Sequence, residues 1–197
     1  KRETHAADAE VWVALQDDLA MRSDDMNPPD KTFKLQPFLL QSEYDLALVD
    51  PQEITPRTHS GYPEPFRSRV LPREKRPLGD AAGLTRIGVN LTTLMPGTES
   101  SMRHWHSHEE ELVYVLEGEV VLRTDAGEQT LPAGTCAGFK AGSGDGHQLV
   151  NRGKVPAVYL EISNRDPADA VVYPDVDLLW NPPGQPHKYT RRDGTPY

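Results

Sequence analysis

The amino-acid sequence predicts an all-β fold, a small sandwich or barrel, preceded by an N-terminal helix and a proline-rich arm. Three observations favour this fold. The 197 residues suffice for one domain with a sizeable core. The 18 prolines and 15 glycines are ordinary for a turn-rich β protein and high for a helical one. From Leu84 to Ser163, short apolar runs alternate with turn signals at close spacing.

Residues 1–83 are predicted to form a helix and an extended arm that pack on the core. Within residues 6–22, apolar side chains recur at every fourth position from Val11 to Leu19, which is the spacing of an amphipathic helix. Prolines are spread through residues 51–83, so this stretch cannot supply a regular ladder of backbone donors. Its interleaved aromatic side chains favour a docked arm, and an unstructured linker is the alternative.

Residues 84–165 are predicted to form the β-domain, and residues 166–197 an irregular C-terminal tail. Residues 84–95 alternate between apolar and polar side chains, as a half-buried strand does. Further strands, separated by Gly- and Pro-containing turns, are expected at residues 111–116, 119–124, 129–131, 135–140, 147–151 and 155–163. The tail returns to Pro- and Asp-rich character, with one apolar patch at Val176–Trp180.

Charge and composition argue against several classes of partner. The 30 acidic and 21 basic residues give a net charge of −9. Such a surface repels phosphate backbones and anionic lipid, so we expect neither nucleic acid nor a membrane as partner. No apolar run approaches the roughly 20 residues that span a bilayer, and we expect a cytoplasmic protein. The single cysteine, Cys136, excludes an internal disulfide and a cysteine-based zinc cluster, and we interpret it as a small core residue.

Residues 104–118, HWHSHEEELVYVLEG, carry the most informative pattern in the chain. His104, His106 and His108 occupy alternate positions, so in an extended strand all three project to the same side. Glutamates follow at once, and imidazole and carboxylate groups together suit a divalent first-row metal. The sequence therefore predicts a metal centre inside a β-structure. The alternative is a solvated strip of ion pairs on an exposed strand.

Two spaced motifs in this region resemble those of the cupin superfamily. The first motif, G-x5-H-x-H-x3,4-E-x6-G, is matched by His104, His106, Glu111 and Gly118. The second, G-x5-P-x-G-x2-H-x3-N, is matched by Gly134, Gly142, His147 and Asn151. The chain departs from the pattern where Gly97 lies one residue too far from His104, where Lys140 replaces the proline, and where two extra residues precede His147. The resemblance covers residues 84–163.

The resemblance implies a double-stranded β-helix, or jelly roll, with metal ligation by His104, His106, Glu111 and His147. The implied cofactor is one divalent metal ion per chain. Three imidazoles and one carboxylate suit Fe²⁺, Mn²⁺, Zn²⁺ or Ni²⁺. With four protein ligands, an octahedral ion keeps two positions open for substrate, water or O₂.

Further candidate residues surround these four ligands. His108 and Glu110 are candidate acid–base groups, with a surface position as the alternative for each. Arg86, Asn90 and Lys140 are candidate substrate-binding residues, with surface salt bridges as the alternative for the two cations. Asn151 is expected to stabilise a turn, and strand parity predicts that Tyr114 points away from the cavity.

We therefore expect a divalent-metal-dependent enzyme that acts on a small polar or carboxylate-bearing metabolite, of dioxygenase, lyase or isomerase type. The alternative is a metal-containing small-molecule-binding or regulatory module without catalysis. A homodimer is expected because small jelly-roll domains leave sheet edges exposed.

Overall fold

The structure, a computed structural model, describes residues 48–181 and 183–197. These residues form an all-β fold with one single-turn α-helix, α1 (Leu78–Ala81), and short 3-10 turns at Pro51–Glu53 and Arg67–Val70. The helix predicted at residues 6–22 lies outside the described residues. In the described part of the chain, no helix is long and apolar enough to cross a bilayer.

The described residues contain twelve strands, and every pairing between them is antiparallel. In chain order they are β1 (Arg73–Pro77), β2 (Ile87–Leu94), β3 (Trp105–His106), β4 (Glu111–Glu117), β5 (Glu119–Thr124), β6 (Gly127–Pro132), β7 (Cys136–Phe139), β8 (Gln148–Val150), β9 (Ala157–Asn164), β10 (Val171–Tyr173), β11 (Leu178–Trp180) and β12 (Tyr189–Thr190). Strands β2 and β4 to β9 correspond to the seven strands predicted from alternation, which confirms the all-β fold.

Three sheets build the domain. The first has the order β1-β2-β9-β4-β7, the second β6-β5-β8 and the third β12-β11-β10-β3. The main core joins side chains of the first two sheets, namely Leu94, Val113, Val115, Val120, Leu131, Leu149, Ala157 and Tyr159. Burial of each leucine and valine side chain in this core stabilises the fold by roughly 1.5–3 kcal/mol.

Strand β4 shows how the sequence sets the faces of the first sheet. Val113 and Val115 are buried, whereas Tyr114 is 39% exposed on the outer face, as strand parity predicted. Gly118, which closes the first motif, links β4 to β5 with a φ of +70°. A Cβ atom there would lie 3.0 Å from the carbonyl oxygen of Pro156, so both the backbone conformation and the space require glycine.

Two segments are more regular than the sequence predicted. The proline-rich arm contributes β1, which pairs with β2 so that Arg73 faces Leu94 and Pro77 faces Asn90. Because β1 is the edge strand, its terminal proline leaves no ladder position unpaired. The prediction of an irregular tail at residues 166–197 is wrong, since β10, β11 and β12 form a sheet with β3.

A second core joins the arm to the C-terminal strands. It consists of Tyr62, Phe66, Val70, Met102, Val171, Tyr173 and Leu178. Two aromatic contacts of Tyr62, with Tyr173 at 5.8 Å and Tyr189 at 5.7 Å between ring centroids, link the same segments. The interpretation of Cys136 as a core residue is wrong, because it lies on the edge strand β7 and is exposed.

Candidate metal centre

Backbone pairing brings together the two halves of the histidine pattern. His104 donates its N–H to the carbonyl of His147 at 3.0 Å, and His147 donates back to the carbonyl of His104 at 2.8 Å. His106 lies two residues further, at the end of β3, and Glu111 begins β4. Residues from two distant motifs thus share one end of the domain.

Three imidazoles converge on one carboxylate oxygen. The Nε2 atoms of His147, His106 and His104 lie 2.7, 3.4 and 3.7 Å from Oε2 of Glu111. Ligand atoms of His104, His106 and Glu111 lie within 4.8 Å of one another. All four side chains are largely buried. The structure therefore brings together the four residues that the resemblance implied as ligands, and His147 is the imidazole nearest to Glu111.

The outer nitrogen of two of these rings is held by an acceptor. Nδ1 of His104 lies 2.9 Å from the carbonyl oxygen of Met102, and Nδ1 of His106 lies 2.7 Å from Oδ2 of Asp169. An acceptor at Nδ1 keeps a proton on that nitrogen, so that Nε2 offers its lone pair to a metal ion once it has lost its own proton. Such a donor set fits a divalent metal ion.

The ring of His147 is held differently. It stacks on Phe139 with ring centroids 3.7 Å apart and an interplanar angle of 7°. Its Nδ1 is buried and has no hydrogen-bond partner among the residues that the structure describes. Stacking and the backbone bridge with His104, rather than a second hydrogen bond, orient this imidazole.

Burial and the neighbouring charges strongly shift the pKa values of the side chains in this group. Burial, and then the neighbouring charge of His147, lowers the pKa of His104 to about 3. Burial also lowers the pKa of His106, but its hydrogen bond to Glu111 and the carboxylates of Glu111 and Asp169 outweigh burial and raise that pKa to about 9. Burial raises the pKa of Glu111, yet hydrogen bonds from His106 and His147 hold it well below its ordinary value. The metal-free group is thus a carboxylate paired with a protonated His106.

Asp169 is a site residue that the sequence did not reveal. It is 1% exposed, and its Oδ1 accepts the backbone N–H groups of His108 at 2.8 Å and Glu109 at 3.1 Å. It therefore fixes the loop between β3 and β4 as well as the ring of His106. Asp169 lies in the Pro- and Asp-rich segment after β9, where no periodicity or motif distinguishes it from its neighbours.

A cavity of about 340 Å³ adjoins the four converging residues. The cations along its wall are Arg73, Lys75 and Lys188, and the phenols are Tyr62, Tyr159, Tyr173 and Tyr189. Lys75 is paired with Glu161, with Nζ 2.6 Å from Oε1. These residues come from the arm, from β9 and from the C-terminal strands, and the sequence marked none of them as candidates.

The two candidate acid–base residues lie away from this cavity. His108 is exposed, and its Nδ1 is 2.8 Å from the hydroxyl of Ser107. Because β3 ends at His106, strand parity does not extend to His108. Glu110 is also exposed, and its backbone N–H donates to the side chain of Asn164. Neither side chain lines the cavity, so both take the surface position that the sequence left open.

The candidate substrate-binding residues are scattered. Arg86 is exposed and does not line the cavity. Asn90 reaches the cavity indirectly, through a 3.4 Å hydrogen bond from Nδ2 to Glu161. Lys140 is exposed beside a narrow crevice on the far side of His106 and Glu111. Of the three, Asn90 is the one that hydrogen-bonds to a described residue of the cavity wall.

Asn151 has the structural role that the sequence predicted. It is fully buried, and its Nδ2 donates to the carbonyls of Leu94 at 2.8 Å and Val155 at 2.9 Å. Its Oδ1 accepts the N–H of Gly153 at 2.9 Å. The side chain therefore ties the turn after β8 to the end of β2.

Comparison with known proteins gives one consistent result. The family model described as the Cupin domain matches residues 90–163. The crystal structure of a sugar phosphate isomerase of the cupin superfamily from Silicibacter pomeroyi is 40% identical, with a TM-score of 0.71, over 76% of this chain and 96% of that one. The tetracenomycin polyketide synthase protein TcmJ of Streptomyces glaucescens is 30% identical over 129 residues, which are 61% of this chain and 85% of TcmJ.

A more distant likeness concerns the fold alone. The polyketide cyclase RemF from Streptomyces resistomycificus has a TM-score of 0.51 at 19% identity, over 60% of this chain and 79% of that one. Relatives with different activities thus share the β-scaffold, and the particular side chains around the cavity must decide the reaction.

Proposed function

The chain belongs to the cupin family, and from that premise we propose that it is a divalent-metal-dependent enzyme that isomerises a small hydroxylated metabolite. The observation that carries the proposal is the convergence of three imidazole Nε2 atoms on Oε2 of Glu111 beside a polar cavity. The relative from Silicibacter pomeroyi, described as a sugar phosphate isomerase, supports the reaction type.

His104, His106, His147 and Glu111 would hold the metal. When bound, the ion supplies Lewis-acid stabilisation of negative charge on a hydroxy-carbonyl group. Isomerisation of such a group also needs a base that moves a proton between neighbouring carbons. That base must come from the cavity wall, because His108 and Glu110 lie outside it.

Glu161 is the residue that we propose as this base. Among the described residues of the cavity wall, it is the one carboxylate that lies outside the converging group. Lys75 and Asn90 both donate to its Oε1, whereas Oε2 has no hydrogen-bond partner within residues 48–181 and 183–197. One oxygen is therefore anchored and the other is available to a substrate. The cavity phenols suit a different role, because burial raises the pKa of Tyr62 and Tyr159 and keeps both as neutral hydrogen-bond donors.

Proton exchange tests the proposal without assuming a particular product. The metal-loaded protein is incubated in D₂O with a panel of pentose and hexose phosphates, and deuterium incorporation and isomer conversion are followed by NMR. We expect metal-dependent exchange at the carbon next to the carbonyl. Exchange should fall by about 10²–10⁴ in Glu161→Gln at unchanged metal content. Glu119→Gln, an exposed change on β5, is the control and should leave exchange unaltered.

Other outcomes discriminate between the alternatives. Uptake of O₂ by the iron-loaded protein, without proton exchange, would replace the isomerase with an oxygenase. Ligand binding without turnover by fully metal-loaded protein would favour the binding-module alternative. The homodimer and the cytoplasmic location remain predictions, and sedimentation velocity at micromolar concentration tests the first of them.

A further inference from the structure

We propose that Arg73 and Lys188 form an oxyanion-binding subsite in the cavity, which selects small hydroxylated metabolites that carry a terminal phosphate or carboxylate group. This inference rests on the proposed function, since it assumes that the cavity beside Glu111 receives the substrate. It adds a second recognition point that is separate from the metal ligands.

Arg73 is a half-buried cation whose guanidinium makes one hydrogen bond to the residues that the structure describes. Its side chain lines the cavity, and Nη1 donates to the carbonyl oxygen of Ser100. Among the described residues, no carboxylate lies within ion-pair distance of its guanidinium. A guanidinium carries five N–H donors in a planar fork that matches an oxyanion. Burying such a charge without a counter-ion is costly, so a ligand oxyanion is its natural partner.

Lys188 supplies a second cation from the C-terminal segment. Its Nζ lies 5.5 Å from the centroid of the Tyr189 ring, and no carboxylate of the described residues pairs with it. Gly61 makes room for this group, because a Cβ atom at that position would lie 2.9 Å from Nζ. An alanine at position 61 would therefore displace the flexible end of the Lys188 side chain.

The charge balance of the cavity favours an anionic ligand. Lys75 is neutralised by Glu161 at 2.6 Å, whereas neither Arg73 nor Lys188 has such a partner within residues 48–181 and 183–197. Their two positive charges outnumber the single charge of Glu111, and a divalent metal would add to the excess. The protein as a whole carries a net charge of −9, so this positive cavity is a local exception that concentrates anions.

The phenols of the cavity wall and the cavity volume further restrict the class of ligand. Tyr62, Tyr173 and Tyr189 present phenols that are neutral hydrogen-bond donors, and burial raises the pKa of all three. Such groups suit the hydroxyls of a polyol. The volume of about 340 Å³ lies near the lower end of the roughly 300–1,000 Å³ range of ligand pockets. It favours a single small metabolite over a multi-ring compound.

The test measures anion binding by isothermal titration calorimetry on the full chain, with inorganic phosphate and acetate as separate probes. Metal content is measured on every sample, and a chelator-treated sample shows whether the anion binds without the metal. We expect phosphate to bind both forms. Its Kd should rise at least about tenfold in Arg73→Met and Lys188→Met, which lose charge-assisted hydrogen bonds. Gly61→Ala should weaken binding because it displaces Nζ of Lys188.

The matched control is Arg152→Met, which removes an exposed arginine paired with Glu128 outside the cavity. It should bind phosphate as the wild type does. Tighter binding of phosphate than of acetate assigns the subsite to a phosphate ester, and the reverse assigns it to a carboxylate; either result supports the inference. Equal phosphate affinity in wild type, Lys188→Met and Arg73→Met, or no binding of either anion by wild type, overturns it.

The same samples separate this inference from the proposed function. Retained metal with anion binding that does not depend on Arg73 and Lys188 rejects the subsite alone. Anion binding that depends on Arg73, in a chain that takes up no metal, rejects the metal enzyme and leaves the subsite standing. Should Arg73→Met fail to fold, Lys188→Met and Gly61→Ala still test the subsite, since both changes lie in exposed segments.

Discussion

Asp169 and His106 are joined by a 2.7 Å hydrogen bond between Oδ2 and Nδ1. On the other side of the ring, Nε2 of His106 lies 3.4 Å from Oε2 of Glu111. A buried carboxylate from the C-terminal segment thus sets the orientation and the tautomer of an imidazole in the converging group. A carboxylate behind a ligating histidine also raises the basicity of the ligand.

Asp169→Asn should weaken metal binding by about 10- to 100-fold. The amide of asparagine can still accept the N–H groups of His108 and Glu109, but it then presents an NH₂ group to Nδ1 and favours the wrong tautomer. Competition against a chromogenic chelator measures the affinity. Asp193→Asn, which changes an exposed carboxylate of the C-terminal turn, is the control. Equal affinity in Asp169→Asn and wild type would show that the carboxylate does not act on the metal site.

Stabilisation by metal should increase as pH rises from about 6 to about 8.5, because each ligand must lose its proton before it binds. In the metal-free protein the pKa of His106 is raised to about 9. Its protonated form contributes stability that is fully present below the ordinary imidazole pKa of about 6.5 and is lost as pH approaches 9. A metal ion competes with this proton for His106. The stability that the metal contributes therefore increases with pH, whereas the contribution of the proton decreases.

Thermal unfolding with and without Ni²⁺ at the two pH values measures this effect. The increase in Tm on adding metal should be larger at the higher pH. His106→Ala should show no metal-dependent increase at either pH. An equal or larger increase at the lower pH contradicts the account.

Gly118→Ala should lower the free energy of unfolding by about 1–3 kcal/mol. The φ of +70° is unfavourable for alanine, and the new Cβ would press on the carbonyl of Pro156. Urea denaturation measures the change. Gly138→Ala is the matched control, because its backbone is not left-handed and the nearest atom to a new Cβ is 3.9 Å away. If both variants unfold at the same urea concentration, the close approach to Pro156 does not destabilise the Gly118→Ala variant.

Alternation in the sequence was sufficient to predict the strands of the main core. Strands such as β4 and β9 run for seven and eight residues, long enough for a period of two to be visible. Strands β10, β11 and β12 are two or three residues long, and a pattern that short has no readable period. Strand β1 was not predicted because Pro72 precedes it and Pro77 is its last residue, and the sheet tolerates these prolines because β1 is an edge strand.

The candidate site was predictable where a motif fixed the spacing and not elsewhere. His104, His106, Glu111 and His147 converge because two motifs are joined by a backbone bridge. Asp169, Arg73 and Lys188 come from segments without any motif, and only the tertiary fold brings them to the cavity. For His108 the pattern was misleading, because the alternation of histidines continues in the sequence after the strand has ended at His106.

The central claim is that His104, His106, Glu111 and His147 hold one divalent metal ion. Elemental analysis of the protein as purified, and again after anaerobic reconstitution with Fe²⁺, tests it most directly, with His106→Ala as the comparison. The account predicts close to one ion per chain in the wild type and little or none in His106→Ala. A wild-type protein that holds no metal after reconstitution, or a His106→Ala protein that is fully loaded, would contradict it.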